Sequence, residues 1–591
     1  MMRSQNPRRR PARTLAVYAV FALLYVGPPL VLAPALRLAG ASVGRIPFAW
    51  PFTALTTTIA SRGHLAPLWR WMGWGAPVDR AAFWAVLAGE GAVLVLGLGA
   101  AVRLARSTGA GLPHDSRWAR AWDLRRARLL LRRPRALRLI LGRLSAPGLG
   151  APFVATAPGV SVLVFGPTGS GKSAGLCVPQ ILEWDGPVIA VSVKNDLVVQ
   201  TAGHRQHLGT TDVYDPTGTT GLATCTWSPI ARCEDFDRAM RVGQWLVQGQ
   251  SKVEANAEWA HWEDAAIRLV STALYAGANL ELSITDALSW LDDGSGTKLG
   301  MALAAVPGRD VRAMQWYRSV QERPERERGS CYSTSQKALR PYIERAVAAS
   351  AQDPSFEPRE FLLSGNDTLY LVAPQSEQER LSGIFASLVM TVMTDATELA
   401  QSREDGRLPR PLLVVLDECA NTAPIRELPQ YLSTVRSMGI SLVAIFQDLS
   451  QCEHRYGDLA GSVVNNARAV LFLSGSKDRK TLELLRDLAG RARQRKYTAD
   501  NHGGSQVSFD KEEMLPLDVG RQLGPGRAIL LYEHLSPIAL RLRNCYRDLD
   551  LRRRRGRHRY LPRVTRIVPG EPDHESARQY GSIVGAAPPQ S

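Results

Sequence analysis

One short segment constrains this 591-residue chain more than any other: Gly166-Pro167-Thr168-Gly169-Ser170-Gly171-Lys172-Ser173, which fits GxxxxGK[ST]. The segment directly follows the apolar run Val160 to Phe165, and a stretch compatible with a helix comes after it. This is the context of a phosphate-binding loop. Glycines there let backbone N–H groups surround phosphates, Lys172 carries a compact positive charge, and the Ser173 hydroxyl is a ligand for Mg²⁺. We therefore predict that all eight residues bind ATP with Mg²⁺.

Further apolar runs predict the fold around this loop. They are Val188 to Val193, Leu412 to Leu416, Ile440 to Phe446 and Ala469 to Leu473. Buried strands separated by helix-length stretches indicate an α/β fold, with a parallel sheet that helices cover on both faces. Residues 231–360 lack a convincing strand and are rich in helical patterns. We expect an all-helical subdomain inserted into the nucleotide-binding fold.

Two acidic residues, Asp417 and Glu418, directly follow the apolar run Leu412 to Leu416. Asp417 can hold magnesium through water, and Glu418 can act as a general base toward the attacking water. Strands often end in acids, so this pattern gains its weight from the loop at 166–173. Arg436 precedes the run at 440–446 and Gln447 follows it, which suits an arginine finger and a γ-phosphate sensor. A surface arginine and a helix-capping glutamine explain the spacing equally well.

Two apolar segments near the amino terminus are long enough to cross a bilayer. Residues 15–36 are uncharged and 81–102 hold Glu90 as their one charge, close to the roughly 20 residues that a spanning helix needs. Arginine is dense before the first segment and after the second, so the positive-inside tendency puts both termini in the cytoplasm. A cleaved secretory signal is the alternative for the first segment. Glu90 suits helix association or a contact with a neighbouring subunit.

The net charge of +17 is unevenly placed. Residues 1–13 carry +5, 14–102 carry +3, 103–143 carry +10 and 551–591 carry +6, which leaves −7 for 144–550. In 117–143, leucines at helical spacing among many arginines indicate a helix on anionic lipid, and 145–158 has a linker's composition. The basic charge therefore belongs to the membrane flanks and tail, and it is no indication of a DNA-binding surface over the body. Seven cysteines without CxxC pairs fit a reducing cytoplasm.

An ordered set of motifs resembles the type IV secretion coupling proteins, the TraG/TraD-like conjugative ATPases. After the phosphate-binding loop come VSVKNDL at 191–197, VYDPTG and TWSPI within 213–230, EWAHWEDAA at 258–266, LDECAN at 416–421, VRSMGISLVAIFQDLSQ at 435–451, RYG at 455–457 and LFLSGSKDRKT at 471–481. The resemblance runs from about Ser161 to Asp548. Many members have Asp and Gly near the positions of Ser192 and Asn195, and the basic tail also departs from the family's pattern, so neither receives a role here.

The resemblance implies a RecA-like P-loop core and an inner-membrane homohexamer. It further implies that the protein takes a relaxase bound to single-stranded DNA, or protein effectors, to the channel subunits of a type IV secretion system. Glu418 would then be catalytic, Asp417 and Ser173 metal-binding, and Arg436 and Gln447 the finger and sensor. A septal-type DNA translocase is an alternative, but it would place a winged-helix reader after the motor. A non-hydrolysing docking receptor would predict broken nucleotide residues.

The expected organisation follows from these observations. The predicted segments are a basic cytoplasmic N-terminus (1–13), a transmembrane helix (14–36), an extracytoplasmic loop (37–80), a second transmembrane helix (81–102), a basic juxtamembrane segment and linker (103–150), the first part of the nucleotide-binding core (151–230), the all-helical domain (231–360), the second part of the core (361–550) and a basic flexible tail (551–591).

Overall fold

A computed structural model describes residues 116–132, 137–145, 151–250, 257–499 and 505–556 of the chain. The chain divides into two compact units at residue 114, and every described residue belongs to the second. The two predicted transmembrane helices and Glu90 lie outside the described residues, as does most of the predicted tail.

Fourteen strands occur in the described residues. Their bounds are β1 Leu130–Leu131, β2 Ile140–Leu144, β3 Phe153–Ala155, β4 Val162–Phe165, β5 Val188–Ser192, β6 Thr211–Tyr214, β7 Thr368–Val372, β8 Leu412–Leu416, β9 Ile440–Phe446, β10 Ala469–Leu473, β11 Arg491–Ala499, β12 Ser505–Glu513, β13 Arg527–Tyr532 and β14 Ile538–Arg541. All five apolar runs that the sequence marked as strands are strands.

The α-helices number nineteen in the same part of the chain. They are α1 Ala121–Arg126, α2 Val178–Glu183, α3 Asp196–Arg205, α4 Phe236–Gln250, α5 Ala257–Asn279, α6 Ile284–Asp292, α7 Thr297–Ala305, α8 Val311–Gln321, α9 Glu325–Leu339, α10 Arg345–Ala349, α11 Pro358–Leu363, α12 Gln378–Gln401, α13 Cys419–Thr422, α14 Leu428–Thr434, α15 Leu449–Tyr456, α16 Ala460–Asn466, α17 Arg479–Ala489, α18 Leu517–Arg521 and α19 Leu549–Gly556. A π-helical turn, Ser173–Cys177, precedes α2.

Twelve strands form one sheet in the order β1-β3-β2-β14-β13-β10-β4-β9-β8-β5-β7-β6. The seven strands from β10 to β6 are parallel, as the sequence predicted. In β4, Leu163 and Phe165 enter the hydrophobic core on one face, and Val162 and Val164 enter the core on the other. Alternate side chains of a strand point to opposite faces, so a sheet buried on both faces needs apolar residues at every position.

Two of the parallel strands, β6 and β7, were not predicted from the sequence. β6 begins with Thr211 and Asp212, and β7 begins with Thr368 after Asp367. Their polar ends shorten the apolar run, although the backbones pair in register as Thr211 opposite Thr368. The two strands lie at the edge of the parallel region, where β6 has only one neighbour.

The expectation of a lipid-binding helix over residues 117–143 is wrong. Among the residues of this range that the structure describes, only Ala121–Arg126 is α-helical, and 140–144 form β2. Leu129 and Leu141 are almost fully buried, and β2 extends the sheet through antiparallel pairing with β14 and β3. The expected linker at 145–158 also contributes β3, whose three residues are buried. The short intervals between these strands allow an antiparallel ladder, which helical spacing of leucines alone could not reveal.

All described elements from residue 231 to residue 360 are helices, and they lie between β6 and β7. Their buried side chains join one core with α12 and one face of the sheet. Helices α2 and α3 cover the opposite face. Over the described residues, one apolar helix is long enough to span a membrane, Gln375–Gln401, but 78% of its most apolar window is buried inside the protein. It therefore fits a core helix.

The first residues of the predicted flexible tail are helical. Residues 551–556 belong to α19, and Leu551 is fully buried against the core of the α2–α3 face. The arginine run that follows Leu551 suggested a solvated segment, because a single apolar residue is a weak helix signal.

A fully buried arginine, Arg205, donates hydrogen bonds to residues at the amino ends of β5 and β7. Arg205 donates from Nε to Thr368 Oγ1 at 2.7 Å and from Nη1 to the Trp184 carbonyl at 2.7 Å. Its Nη2 donates to the carbonyls of Gly186 and Asn366 at 2.8 and 2.9 Å. Burial lowers the pKa of this guanidinium to about 10, so it remains charged at neutral pH.

Arg205→Met should lower the free energy of unfolding by about 3 kcal/mol, because four buried acceptors lose their donor. Urea unfolding followed by circular dichroism measures the loss. Arg410→Ala is the matched control, since Arg410 pairs with Asp185 at 3.1 Å on the surface and should change stability by no more than about 0.5 kcal/mol. Equal stability of the two variants would contradict this account.

Candidate nucleotide-binding site

The carboxyl ends of three neighbouring strands meet at the candidate site. β4 ends at the glycine-rich loop, β8 ends directly before Asp417 and β9 ends directly before Gln447. Register pairs Phe165 with Phe446 and Leu416 with Ala444. Parallel strands bring segments 245 residues apart in sequence to one edge of the sheet, which is where open α/β sheets bind ligands.

The loop itself has the backbone that its glycines permit. Gly169 and Gly171 have φ of +83° and +85°, a region that costs other L-residues energy. A Cβ on either residue would meet no atom within 4 Å. Glycine is therefore needed at these two positions for its backbone conformation, and a lack of space for a side chain is not the reason.

Lys172 and Ser173 face the two acids that the sequence paired with them. Lys172 Nζ lies 3.0 Å from Glu418 Oε1 and 3.7 Å from Asp417 Oδ1, and Ser173 Oγ lies 3.4 Å from Asp417 Oδ2. All four residues therefore come together. The side chains of Lys172, Asp417 and Glu418 are 10%, 7% and 14% exposed, so their charges interact with little screening from water.

Burial raises the pKa of Asp417 to about 6, against the opposing effect of the Lys172 charge. Asp417 Oδ1 and Ser170 Oγ are buried, and neither has a hydrogen-bond partner within the described part of the chain. Buried polar atoms are rarely left in this state. A divalent cation near Asp417 and a phosphate in the loop would satisfy them, so the residues present fit Mg²⁺ and a nucleotide.

Glu418 has a strained backbone. Its φ of +57° places it in the left-handed region, which is uncommon for residues other than glycine and clusters at functional sites. The Thr422 hydroxyl fixes the turn by donating to the carbonyls of Asp417 and Glu418 at 2.9 and 3.2 Å. The turn aims Glu418 toward Lys172.

Gln447 and Arg436 lie at opposite ends of β9. The Gln447 backbone follows Phe446, whose carbonyl accepts a hydrogen bond from Gly166 N at 2.9 Å. Arg436 lies against Gly159, whose Cβ position would be 2.6 Å from the Arg436 carbonyl. Seven residues of β9 separate the two ends, or about 20 Å at the usual rise per residue. The structure therefore brings Gln447 to the loop and does not bring Arg436 there.

Two features of the site were missed in the sequence. Asp196, in the motif at 191–197, lies close enough for its charge to raise the pKa of Asp417 further. Arg426, downstream of Glu418, pairs with the buried Glu263 of α5 and so joins the turn after β8 to the helical insert. Glu263 is part of the motif at 258–266, but its partner lies 163 residues away and only the fold discloses it.

A parallel sheet with this loop, these acids and this strand order defines the class of fold, a RecA-like P-loop α/β fold. A family model described as "Type IV secretory system Conjugative DNA transfer" matches residues 117–556. The chain therefore belongs to the conjugative DNA transfer coupling proteins of type IV secretion systems.

Curated relatives and solved structures agree with this assignment. The chain is 25% identical over 375 residues to a conjugal transfer protein TraG of Escherichia coli, over 58% of each protein. A second TraG of Escherichia coli is 24% identical over 316 residues, covering 50% of this chain and 49% of that protein. The chain thus spans about half the length of the curated relatives it matches.

Among solved structures, the bacterial conjugative coupling protein TrwBdeltaN70 in its unbound form aligns with a TM-score of 0.55 at 18% identity, over 78% of this chain and 98% of that one. TrwB in complex with ADP and Mg²⁺ aligns with a TM-score of 0.54 at 18% identity, over 74% and 96% of the two chains. At this identity the likeness concerns the fold.

Lys172→Ala should weaken binding of ADP with Mg²⁺ by about 100-fold or more, because the loop loses its charge-assisted contact to the outer phosphates. Isothermal titration calorimetry measures the affinity. Lys480→Ala is the control, since Lys480 pairs with Glu453 on the surface and its loss should leave affinity unchanged. Unaltered binding by Lys172→Ala would remove the nucleotide assignment from this loop.

Proposed function

We propose that this protein is a membrane-anchored, hexameric ATPase that couples ATP hydrolysis to delivery of relaxase-bound single-stranded DNA, or of protein substrates, to a type IV secretion channel. The observation that carries the ATPase part is the meeting of Lys172, Ser173, Asp417 and Glu418 in one buried cluster. The ADP and Mg²⁺ bound to TrwB support the same ligands here.

The cluster assigns a task to each residue. Lys172 and the loop's N–H groups bind the phosphates, while Ser173 and Asp417, directly and through water, hold the Mg²⁺ that neutralises phosphate charge when bound. Glu418 is the general base, since its carboxylate is nearly buried and is held by Lys172 at 3.0 Å. Once a phosphate takes over part of the Lys172 charge, the carboxylate becomes a stronger acceptor for a proton from water. Gln447 senses the outermost phosphate from the neighbouring strand end.

Arg436 acts in a neighbouring subunit. It lies at the amino ends of β4 and β9, about 20 Å from its own phosphate-binding loop, and is only partly buried. No hydrogen bond or ion pair of its guanidinium occurs among the described residues. Burial raises the pKa of Tyr532, and the nearby charge of Arg436 opposes that rise. Its position at the amino ends of the strands, away from its own loop, supports the proposal that in a ring it would reach the site of the next subunit, where it would stabilise the transferring phosphate.

Membrane anchoring and cargo rest on the sequence and the family. The apolar segments at 14–36 and 81–102 would hold the protein in the bacterial inner membrane with the ATPase body in the cytoplasm. The family's role in conjugative DNA transfer favours single-stranded DNA and its relaxase as cargo. The all-helical domain at 231–360 is our candidate for the part of the body that contacts the cargo.

Glu418→Gln should reduce kcat for ATP hydrolysis by about 10²- to 10³-fold while ADP affinity changes little, because the amide keeps the shape and loses the base. A steady-state phosphate-release assay, paired with calorimetry, separates the two quantities. Glu453→Gln is the control on the surface. Full hydrolysis by Glu418→Gln would assign the base to another residue.

Arg436→Ala should reduce turnover in the assembled ring by about 10³-fold, and mixing with Lys172→Ala subunits should restore part of it. Each Arg436→Ala subunit keeps an intact loop, and a Lys172→Ala neighbour supplies the arginine. Phosphate release across mixing ratios gives the readout. If no mixture exceeds the activity of either variant alone, the action of Arg436 in trans is wrong.

A further inference from the structure

In the helix that follows the phosphate-binding loop, the sequence removes one backbone hydrogen-bond donor. The first turn of this helix is π-helical, and Val178 N donates to the Ser173 carbonyl five residues earlier. The next donor that could serve the Ala174 carbonyl in this register belongs to position 179, which is Pro179 and has no N–H. The Ala174 carbonyl is thereby left without an intrahelical partner.

A segment from the far end of the chain supplies the missing donor. Cys545 N donates to the Ala174 carbonyl at 2.9 Å. The segment belongs to residues 542–556, which we call the C-terminal strap. Cys545 is fully buried and Ala174 is partly buried, so loss of this contact would leave the buried N–H of Cys545 without an acceptor, which is costly.

Two further contacts fix the strap along the same helix. Arg543 Nη1 donates to both carboxylate oxygens of Glu183 at 2.8 and 2.7 Å, and its Nε donates to Asp548 at 3.0 Å. The side chains of Arg543 and Glu183 are 2% and 7% exposed, so this charge pair is buried. Toward the end of the strap, Arg554 Nη1 donates to the Leu182 carbonyl at 3.3 Å. The strap thus contacts the helix from Ala174 to Glu183.

A glycine allows the strap to approach so closely. A Cβ at Gly175 would lie 3.2 Å from Leu542 Cδ1 and 3.3 Å from Leu542 Cβ, tighter than ordinary carbon contacts. Gly175 stands two residues after Ser173, whose hydroxyl faces Asp417. The strap therefore contacts, through Leu542, the helical turn that sets the positions of Lys172 and Ser173.

We infer that Cys545, through its backbone N–H, and Arg543 are positioning residues for the nucleotide site: the C-terminal strap holds the first turn after the phosphate-binding loop in its π-helical register. This inference rests on the proposed nucleotide binding at Lys172. Neither residue touches the phosphates, and their effect reaches the ligand through the backbone of Ser173 and Ala174.

Cys545→Pro, which removes the N–H, should weaken the binding of mant-ADP with Mg²⁺ to the full-length protein in detergent by about tenfold. Fluorescence titration measures the affinity, and Cys545→Ala, which keeps the N–H, should match the parent. A folded Cys545→Pro protein with the parent's affinity would overturn the inference.

Gly175→Ala decides the matter should Cys545→Pro fail to fold. Alanine favours helix over glycine, so a merely structural role predicts equal or higher melting temperature and unchanged affinity. The inference instead predicts about threefold or weaker mant-ADP binding without loss of melting temperature, and recovery on combining Gly175→Ala with Leu542→Ala, which makes room in the strap. Unchanged affinity of Gly175→Ala, or no recovery in the double variant, would overturn it.

The parent protein and Lys172→Ala separate this inference from the proposed function. A parent that does not bind mant-ADP contradicts the nucleotide site itself. Binding by the parent that Lys172→Ala abolishes, together with unchanged affinity in Gly175→Ala and Cys545→Pro, contradicts the strap alone.

Discussion

β4, β9 and β8 pair in parallel and in register, so their carboxyl ends arrive together at one edge of the sheet. This pairing brings the loop at 166–173 to the acids at 417–418. It holds because the three strands are apolar at nearly every position and are buried on both faces by two separate cores. Loss of either core would release the strands that set the spacing between Lys172 and Glu418.

The helical insert covers the face of the sheet opposite the helix of the phosphate-binding loop. It reaches the site through a few polar contacts, such as Arg426 with Glu263 and the hydrogen bonds from Arg455 to the carbonyls of Gln248 and Gly249. The strap reaches the same site from the other face. The residues after β8 and after β4 are therefore each held by a distant part of the chain.

Charge and burial also divide the molecule. The body from 144 to 550 has a net charge of −7 although the whole chain has +17. DNA binding by this body would therefore need local arginines and lysines, which a ring of subunits would bring close together. Two arginines are buried within the described part of the body: Arg205 donates to backbone carbonyls and Arg543 to carboxylates. Their charge stabilises the fold and is absent from the surface.

Local sequence was enough for features that depend on a few adjacent residues. The glycines and lysine of the loop, the five apolar strands and the acids at 417–418 could all be predicted, because each carries its own chemistry within a short stretch. The antiparallel strands at 130–155 could not, because leucines at positions such as 129 and 141 suit a helix and a strand alike until a partner strand is present.

The sequence by itself determined the parallel α/β core, the glycine-rich loop at 166–173 and the family. Only the tertiary structure decided which residues share a site: it placed Arg436 at the far edge of the sheet, brought Asp196 toward Asp417 and laid Cys545 against Ala174. The physical reason is that proximity across hundreds of residues follows from strand order and close packing. The periodicity of a short stretch of sequence does not determine strand order or packing, because each strand's pairing depends on which other strands are available as neighbours.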